Sequence, residues 1–300
     1  MQVAHARSEP LPLPPGHPLP TGKTLALRRL LLAEGLLRPE EVHEPEEAPW
    51  ADLALVHDEA WLRRLEAEGL SRPEERLLGL SLTPALLRRA RRSVAATCLA
   101  ARLALTHGVA ANLGGGSHHA FPARGEGWCL LNDVAVAARL LRREGLARRA
   151  LVVDLDVHQG NGTAVCLQDD PQAFTLSLHS ARNYPRVKER SSLDVELEDG
   201  TGDEAYLALL GEHLPRAVDA ARPEVVFFLA GVDTLRGDRL GRLSLTPAGL
   251  AARERLVCET ARRQGLPLVI TSAGGYGPTP EATAEAHAVV HRVAHEVFGG

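Results

Sequence analysis

Hydrophobic and polar positions along the chain follow two periods, and each period predicts its own elements. Apolar residues recur at helical spacing over 24–37, 59–68, 84–107, 133–144, 204–220, 248–264 and 281–297. Short apolar runs rich in Val and Leu, typical of buried parallel strands, occupy 150–155, 173–178, 225–230 and 266–271. Because strands that alternate with helices need crossover connections, we predict an α/β fold with an open, mostly parallel sheet flanked by helices.

The domain organisation follows from where this pattern is absent. Residues 1–20 are rich in proline and lack a periodic apolar pattern, which predicts an extended N-terminal arm. No later segment resembles a flexible linker, and 300 residues can bury roughly 75% of their unfolded surface. We therefore predict one domain over residues 1–300.

Composition excludes several classes of protein. The chain has 34 basic and 38 acidic residues, a net charge of −4 that provides no electrostatic footprint for nucleic acid. No apolar run approaches the roughly 20 residues that span a bilayer, and the first residues lack the apolar segment of a secretory signal. The four cysteines are far apart with no CxxC pair, which argues against disulfides or a thiolate zinc site. We expect a cytoplasmic enzyme with no nucleic-acid or membrane partner; its oligomeric state stays open.

Residues of catalytic type come directly after the predicted strands. In an open parallel sheet, ligands bind outside the carboxyl ends of the strands. Four segments therefore converge at one edge of the sheet, which is stronger evidence for a site than any single motif. They contribute Asp154, Asp156 and His158; Asp233 and Asp238; Gly274, Gly275 and Tyr276; and, after a short run at 109–113 and a glycine turn, His118 and His119.

The segment from Asp154 to His158 indicates a metal site. Alternation at a strand end puts Asp154, Asp156 and His158 on one side; the alternative is an aspartate that caps the next turn beside a hydrogen-bonded histidine. Two carboxylates and an imidazole in one cleft are unfavourable without a cation, because like charges repel. Asp238 from another strand end would complete three protein ligands with an open position, the layout of catalytic zinc. Carboxylate-rich ligation also accepts Fe²⁺, Mn²⁺ or Co²⁺.

His118, His119 and Tyr276 supply candidate proton-transfer groups. The histidines follow Gly114–Gly116, where the GxGxxG spacing of a dinucleotide site is missing. Alone they could be ordinary loop residues, but beside a metal-bound water they would act as proton acceptor and donor near neutral pH. Tyr276 lies between glycines on a predicted loop. It is either a surface tyrosine or a phenol that donates to an oxyanion opposite the metal.

The chain resembles the histone deacetylase superfamily, whose fold is also that of arginase, and most resembles its class IV branch and bacterial relatives. Weaker similarity extends back through 80–97 to the Pro-rich start, so the resemblance covers almost the whole chain. Several ordered motifs at family spacing make coincidence improbable. The matching stretches are GGGSHHAFPARGEGWCLLNDVAVA (114–137), VVDLDVHQGNGTA (152–164), AGVDTLRGDRLGRLSLTPAGL (230–250) and TSAGGYG (271–277).

The resemblance implies a role for each matching residue. It makes His119 the general base and acid and His118 its electrostatic partner, oriented by Asn161 and Asp154 respectively, and it makes Tyr276 the group that polarises the acyl carbonyl. The implied zinc ligands are Asp156, His158 and Asp238. A structural monovalent cation, usually potassium, would be bound by Asp154 and Ser177 together with the backbone carbonyls of Asp156, His158 and Leu178.

The implied substrate tunnel departs from the family pattern. Gly127 and Trp128 fall where the family lines its acyl-lysine tunnel with glycine and phenylalanine, and the larger tryptophan would narrow or reshape the mouth. Tyr184 is a candidate for the second aromatic wall. The start reads GHPLP, without the arginine and phenylalanine of many bacterial relatives, so no arginine is assigned to a product channel. The rim aspartate that some members use has no evident counterpart.

The implied function is that of a zinc-dependent hydrolase that removes acetyl or longer acyl groups from lysine side chains of proteins or peptides. The nearest alternative is a deacetylase for acetylpolyamines or other small acylated amines. A ureohydrolase is less favoured, because position 160 is Gly160 where a binuclear site needs a carboxylate. A non-catalytic binding homologue is also less favoured, because the ligands, the histidines and the tyrosine are all present.

Overall fold

A parallel sheet lies at the centre of the protein. The computed structural model describes residues 1–6, 11–14 and 16–299, and in these ranges eight strands form one sheet with every neighbouring pair parallel. Across the sheet the order is β2-β1-β3-β8-β7-β4-β5-β6. This architecture confirms the predicted α/β fold. The strands are β1 (Gln2–Ala4), β2 (Val42–His43), β3 (Val109–Asn112), β4 (Ala150–Asp154), β5 (Ala173–Ser180), β6 (Leu193–Leu197), β7 (Val225–Leu229) and β8 (Leu268–Thr271).

Helices cover both faces of this sheet. Within the described ranges, none of them is both long and apolar enough to cross a membrane. The helices are α1 (Lys23–Ala33), α2 (Trp50–Leu53), α3 (Glu59–Arg63), α4 (Arg72–Leu78), α5 (Pro84–His107), α6 (Asp133–Arg143), α7 (Asn161–Leu167), α8 (Asp203–Ala221), α9 (Pro247–Arg263) and α10 (Pro280–Phe298).

Strand β4 shows how the two faces form. Successive side chains of a strand point to opposite faces. Leu151 and Val153 pack into the hydrophobic cluster that includes residues of α1, α8, α9 and α10, whereas Ala150 and Val152 pack into the cluster that includes α5 and α6. Both faces are therefore buried, which explains why the inner strands are continuous apolar runs in the sequence.

The elements that the sequence pattern does not predict have seven residues or fewer. The long helices and the strands β3, β4, β5, β7 and β8 occur within a few residues of their predicted bounds. Strands β1 and β2 and helix α2 have only two to four residues, too few to display a period. Helices α4 and α7 and strand β6 are not predicted either; β6, with the sequence LDVEL, lacks the continuous apolar run of the inner strands. Strand β1 falls within the predicted extended arm at 1–20, and it pairs with β2 and β3. Arm residues 7–10 and 15 lie outside the described residues.

The strand order determines where the site forms. Strands β3, β8, β7 and β4 are consecutive neighbours in the middle of the sheet. The candidate histidines, carboxylates and tyrosine follow the carboxyl ends of these strands. One edge of the central sheet therefore receives all four chemistry-bearing loops.

Candidate active site

Two cavities that share four lining residues lie at the carboxyl edge of the central strands. The larger, of about 570 Å³, contacts His119, His158 and Tyr276 as well as residues of the surrounding loops. The smaller, of about 150 Å³, also contacts His119 and Tyr276 and in addition contacts His118. The three predicted proton-transfer side chains, His118, His119 and Tyr276, therefore each line at least one of these cavities.

A buried carboxylate holds the glycine loop that carries the two histidines. Asp133, at the start of α6, accepts hydrogen bonds from the backbone N–H of Gly116 at 3.0 Å and of Ser117 at 2.7 Å, and from the Thr97 hydroxyl at 2.5 Å. Gly116 has φ +75°, and a Cβ there would lie 2.8 Å from the Ala273 Cβ. The loop therefore requires glycine at this position. Asp133 lies within the 114–137 motif, but nothing in its sequence neighbourhood points to this role.

His118 is held as a cation by a buried aspartate. Its Nδ1 lies 2.7 Å from Asp154 Oδ2, and both side chains are buried. Burial alone would lower the pKa of His118, but the carboxylates of Asp154 and Asp156 outweigh that effect and raise it to about 9. His118 therefore keeps its proton near neutral pH.

His119 is held as a neutral base by a hydrogen-bond chain. Its Nδ1 lies 2.6 Å from Asn161 Oδ1, and Asn161 Nδ2 donates to Glu126 Oε1 at 3.1 Å. Because the asparagine donates to the carboxylate through its amide nitrogen, its oxygen must accept from His119 Nδ1–H, so in the neutral ring Nε2 is the nitrogen without a proton. Burial, and then the positive charge of His118, lower the pKa of His119 well below its ordinary value. The two adjacent histidines thus have opposite protonation states. The sequence around Glu126 does not indicate this role, which depends on the contact with Asn161.

The structure brings three potential metal ligands together. Ligand atoms of Asp156, His158 and Asp233 all lie within 4.8 Å of one another, and all three side chains are buried. His158 Nδ1 is 2.9 Å from Asp156 Oδ1 and 3.3 Å from Asp233 Oδ2. Asp156 and His158 are two of the three predicted ligands.

The third predicted ligand, Asp238, is not in this group, and Asp233 takes its place there. Both oxygens of Asp238 accept hydrogen bonds from the backbone N–H groups of Leu240, Gly241 and Tyr276, at 2.8, 3.1 and 2.7 Å. Asp233 is closer to the end of β7, where it reaches His158. Asp238 therefore holds backbone of its own loop and of Tyr276, and Asp233 is the carboxylate that lies beside Asp156 and His158.

The residues of this group suit a divalent cation. Burial, and then repulsion from Asp156, raise the pKa of Asp233 to about 6. Asp233 Oδ2 is buried with no hydrogen-bond partner among the described residues. A Cβ on Gly274 would lie 2.0 Å from that oxygen and 2.4 Å from Asp156 Oδ2, so the glycine leaves room beside both carboxylates. Two close carboxylates, one with a free oxygen, are the donor set that a metal ion would stabilise.

Three aromatic rings surround the larger cavity. The Tyr276 ring lies 5.6 Å from the Trp128 ring and 6.2 Å from the His158 ring. The Tyr184 ring stands edge-on to His119, with centroids 4.9 Å apart, and its hydroxyl donates to Glu126 at 2.5 Å. Trp128 and Tyr184 both line the cavity, together with Gly127. The structure therefore puts the predicted tunnel residues beside the candidate proton-transfer groups.

Three of the predicted monovalent-cation residues lie on adjacent strands, and the other two, Asp156 and His158, follow the end of β4. Asp154 on β4 is paired in register with Ser177 on β5, and Leu178 is the next residue of β5. Ser177 Oγ lies 3.0 Å from His179 Nδ1. A bound potassium ion at this place stays a prediction.

Comparison with known proteins now identifies the family. The family model for the histone deacetylase domain matches residues 17–293. The chain belongs to the histone deacetylase family. An uncharacterised protein of Picosynechococcus sp. is 44% identical over 246 residues, which is 82% of each chain. Histone deacetylase 2 of Arabidopsis thaliana is 34% identical over 77% of this chain.

Other comparisons concern length and fold. The chain spans 62% of the Arabidopsis relative and 34% of histone deacetylase 1 of rice, Oryza sativa subsp. japonica. The crystal structure of the HDA15 HD domain aligns with a TM-score of 0.77 at 24% identity, covering 99% of this chain and 89% of that one. A histone deacetylase homologue in complex with SAHA aligns with a TM-score of 0.78 at 23% identity, covering 99% and 88%. These two structures share the fold of this histone deacetylase family member.

Proposed function

We propose that this histone deacetylase family member is a metal-dependent amide hydrolase that removes acetyl or longer acyl groups from lysine side chains. The observation that carries the proposal is that His119, His158 and Tyr276 line one cavity, with His118 beside His119 and with Asp156 and Asp233 grouped around His158. A base, an acid and an oxyanion donor beside a metal site are what hydrolysis of a stable amide requires.

Asp156, His158 and Asp233 would bind the metal. We favour Zn²⁺, because three N and O ligands with an open position are typical of catalytic zinc, although Fe²⁺, Mn²⁺ and Co²⁺ also suit two carboxylates. When bound, the metal supplies Lewis-acid polarisation of the acyl oxygen and lowers the pKa of a coordinated water.

The side chains of the protein would move the protons. His119 Nε2, the unprotonated ring nitrogen, accepts a proton from the attacking water. The Tyr276 phenol donates a hydrogen bond to the acyl oxygen as negative charge develops there. Burial, and then nearby carboxylates, raise the pKa of Tyr276 well above its ordinary value, so the phenol keeps this proton. His119, which then carries this proton, donates it to the departing lysine amine.

The larger cavity would hold the substrate. Gly127, Trp128 and Tyr184 line it near the histidines, and Leu240 and Asn183 line it as well. Aromatic walls suit the apolar methylene chain of an acyl-lysine, which leaves the amide as the polar group at the bottom. A protein or peptide substrate and a cytoplasmic location are part of this proposal.

A fluorogenic series of acyl-lysine peptides, from acetyl to myristoyl, tests the proposal. We expect hydrolysis by the zinc-loaded protein, loss of activity after chelation and recovery on reloading. Tyr276→Phe should lower kcat by about 10²–10³, the effect of losing one oxyanion donor, while metal content stays unchanged. A variant that keeps roughly half or more of the wild-type rate would remove Tyr276 from this role. No release from any acyl-lysine by metal-loaded protein would contradict the proposed function.

A further inference from the structure

Arginines surround the entrance of the larger cavity. Arg182, Arg239 and Arg242 line it, and among the described residues no Asp or Glu does. All three arginines are exposed. We call these three residues the arginine mouth. A substrate that enters the cavity must pass close to their charges.

Acidic neighbours offset this charge only in part. Arg242 lies 3.1 Å from Asp199, and Arg182 lies 3.9 Å from Glu198. The side chains of Arg182 and Glu198 are 68% and 81% exposed, so their attraction is weak in water. These pairs leave both arginines able to interact with a passing anion.

Arg239 is held in place by backbone carbonyls. Its Nε donates to Tyr276 O and its Nη2 to Pro18 O, both at 3.0 Å, and no described carboxylate forms an ion pair with it. A guanidinium has five N–H donors, so donors remain for an acceptor in the cavity. Arg239 is therefore an oriented cation without a counter-ion, next to the backbone of the candidate catalytic tyrosine.

The loops around the mouth concentrate positive charge in a chain that is acidic overall. Segments 181–190 and 236–242 contain seven Arg or Lys and two Asp or Glu, whereas the whole chain has a net charge of −4. One of the two acids is Asp238, whose oxygens accept backbone N–H groups. With Glu198 and Asp199, which face Arg182 and Arg242, the count is seven basic against four acidic residues, so a net positive charge remains around the entrance.

Building on the proposed function, we infer that the arginine mouth selects acyl-lysines that have Asp or Glu nearby in the peptide, and that Arg239 binds one of these carboxylates. An acyl-lysine side chain is itself neutral, so discrimination by charge must come from the flanking residues. An acylated polyamine carries ammonium groups, which the same arginines would repel. The entrance therefore favours an acidic peptide over a polyamine.

Peptides matched in length and acyl group provide the test. Each carries one acyl-lysine flanked by Glu, by Gln or by Lys, and an acetylated polyamine is assayed beside them. We expect kcat/KM to fall in the order Glu, Gln, Lys, with about a tenfold difference between the acidic and the basic peptide at low salt. The difference should shrink at high salt, because ions screen exposed charges.

Variants test whether the arginine mouth causes the preference for the acidic peptide. Arg239→Gln should reduce the ratio of kcat/KM for the acidic to the basic peptide about threefold, chiefly through KM. This variant also loses the bond to Tyr276 O, so the ratio and not the absolute rate is the readout, and Arg182→Gln gives a second test away from Tyr276. Arg216→Gln is the control, because Arg216 is exposed on α8 and lines neither cavity. It should leave the ratio unchanged.

The outcomes separate this inference from the proposed function. Hydrolysis of all three peptides with equal kcat/KM at low salt, or a preference for the basic peptide or the polyamine, overturns the arginine-mouth inference and leaves the deacylase proposal standing. No hydrolysis of any acyl-lysine peptide by metal-loaded protein overturns both. A charge preference that Arg239→Gln and Arg182→Gln leave unchanged also overturns the arginine-mouth inference.

Discussion

At the residue scale, Asp233 and Asp238 show how two carboxylates of one loop can have different functions. Asp233 Oδ1 accepts from the backbone N–H of Val157 at 2.9 Å, while its Oδ2 faces His158 without a hydrogen bond. Asp238 uses both oxygens to hold backbone N–H groups. Of these two carboxylates, only Asp233 has an oxygen free to bind a cation. Only Asp238 connects its own loop, through Leu240, to the backbone of Tyr276.

Matched substitutions distinguish the two carboxylates. Asp233→Asn should lower metal affinity by at least about tenfold, because it removes a charge from the ligand group. Asp238→Asn should keep one metal per chain. Metal content measured by mass spectrometry after equilibration with limiting Zn²⁺ gives the comparison. Loss of metal from Asp238→Asn with retention in Asp233→Asn would mean that Asp238, and not Asp233, is the third metal ligand.

At the element scale, what can be predicted depends on length. The 24 residues of α5 repeat their apolar period many times, and the strand pattern of β4 and β7 is unbroken, so the sequence suffices for them. Strand β2 has two residues and β1 has three, and their pairing depends on contacts far along the chain. The site can be predicted from the sequence only in part. The loops after β3, β4, β7 and β8 are recognisable as motifs, but which aspartate faces His158 depends on distances that the motif does not contain.

The turn that carries Gly127 and Trp128 determines where His119 lies. Gly127 has φ +54°, and a Cβ there would lie 2.6 Å from His119 Cδ2. Gly127→Ala should therefore displace the imidazole and lower kcat by about 10², with metal content retained. Gly211→Ala is the matched control, because nothing lies within 4 Å of a Cβ at that exposed position in α8. It should keep full activity and stabilise the fold by up to about 1 kcal/mol. Equal kcat values for the two variants would show that the turn does not constrain His119.

At the scale of the whole molecule, buried histidines couple stability to pH. Burial lowers the pKa of His5, His57 and His291 to about 4, from an ordinary value near 6.5. The unfolded chain therefore binds more protons than the folded chain between these two values. Their contribution to stability is present above pH 6.5 and is lost as the pH falls towards 4. His118, whose pKa is raised to about 9, acts in the opposite direction and only above pH 6.5.

His291 offers the sharpest test of this coupling. It is buried on α10, and neither ring nitrogen has a hydrogen-bond partner within the described ranges, so leucine can replace it without breaking a bond. His291→Leu should raise the free energy of unfolding relative to the wild type, and this increase should be about 2 kcal/mol larger at pH 5 than at pH 7.5. The reason is that the variant has no imidazole at this position to take up a proton on unfolding. Urea denaturation at the two pH values measures this difference. Val290→Ala, a buried change on the same helix that does not titrate, should shift stability equally at both. A pH-independent effect of His291→Leu would mean that the folded protein accommodates a protonated His291.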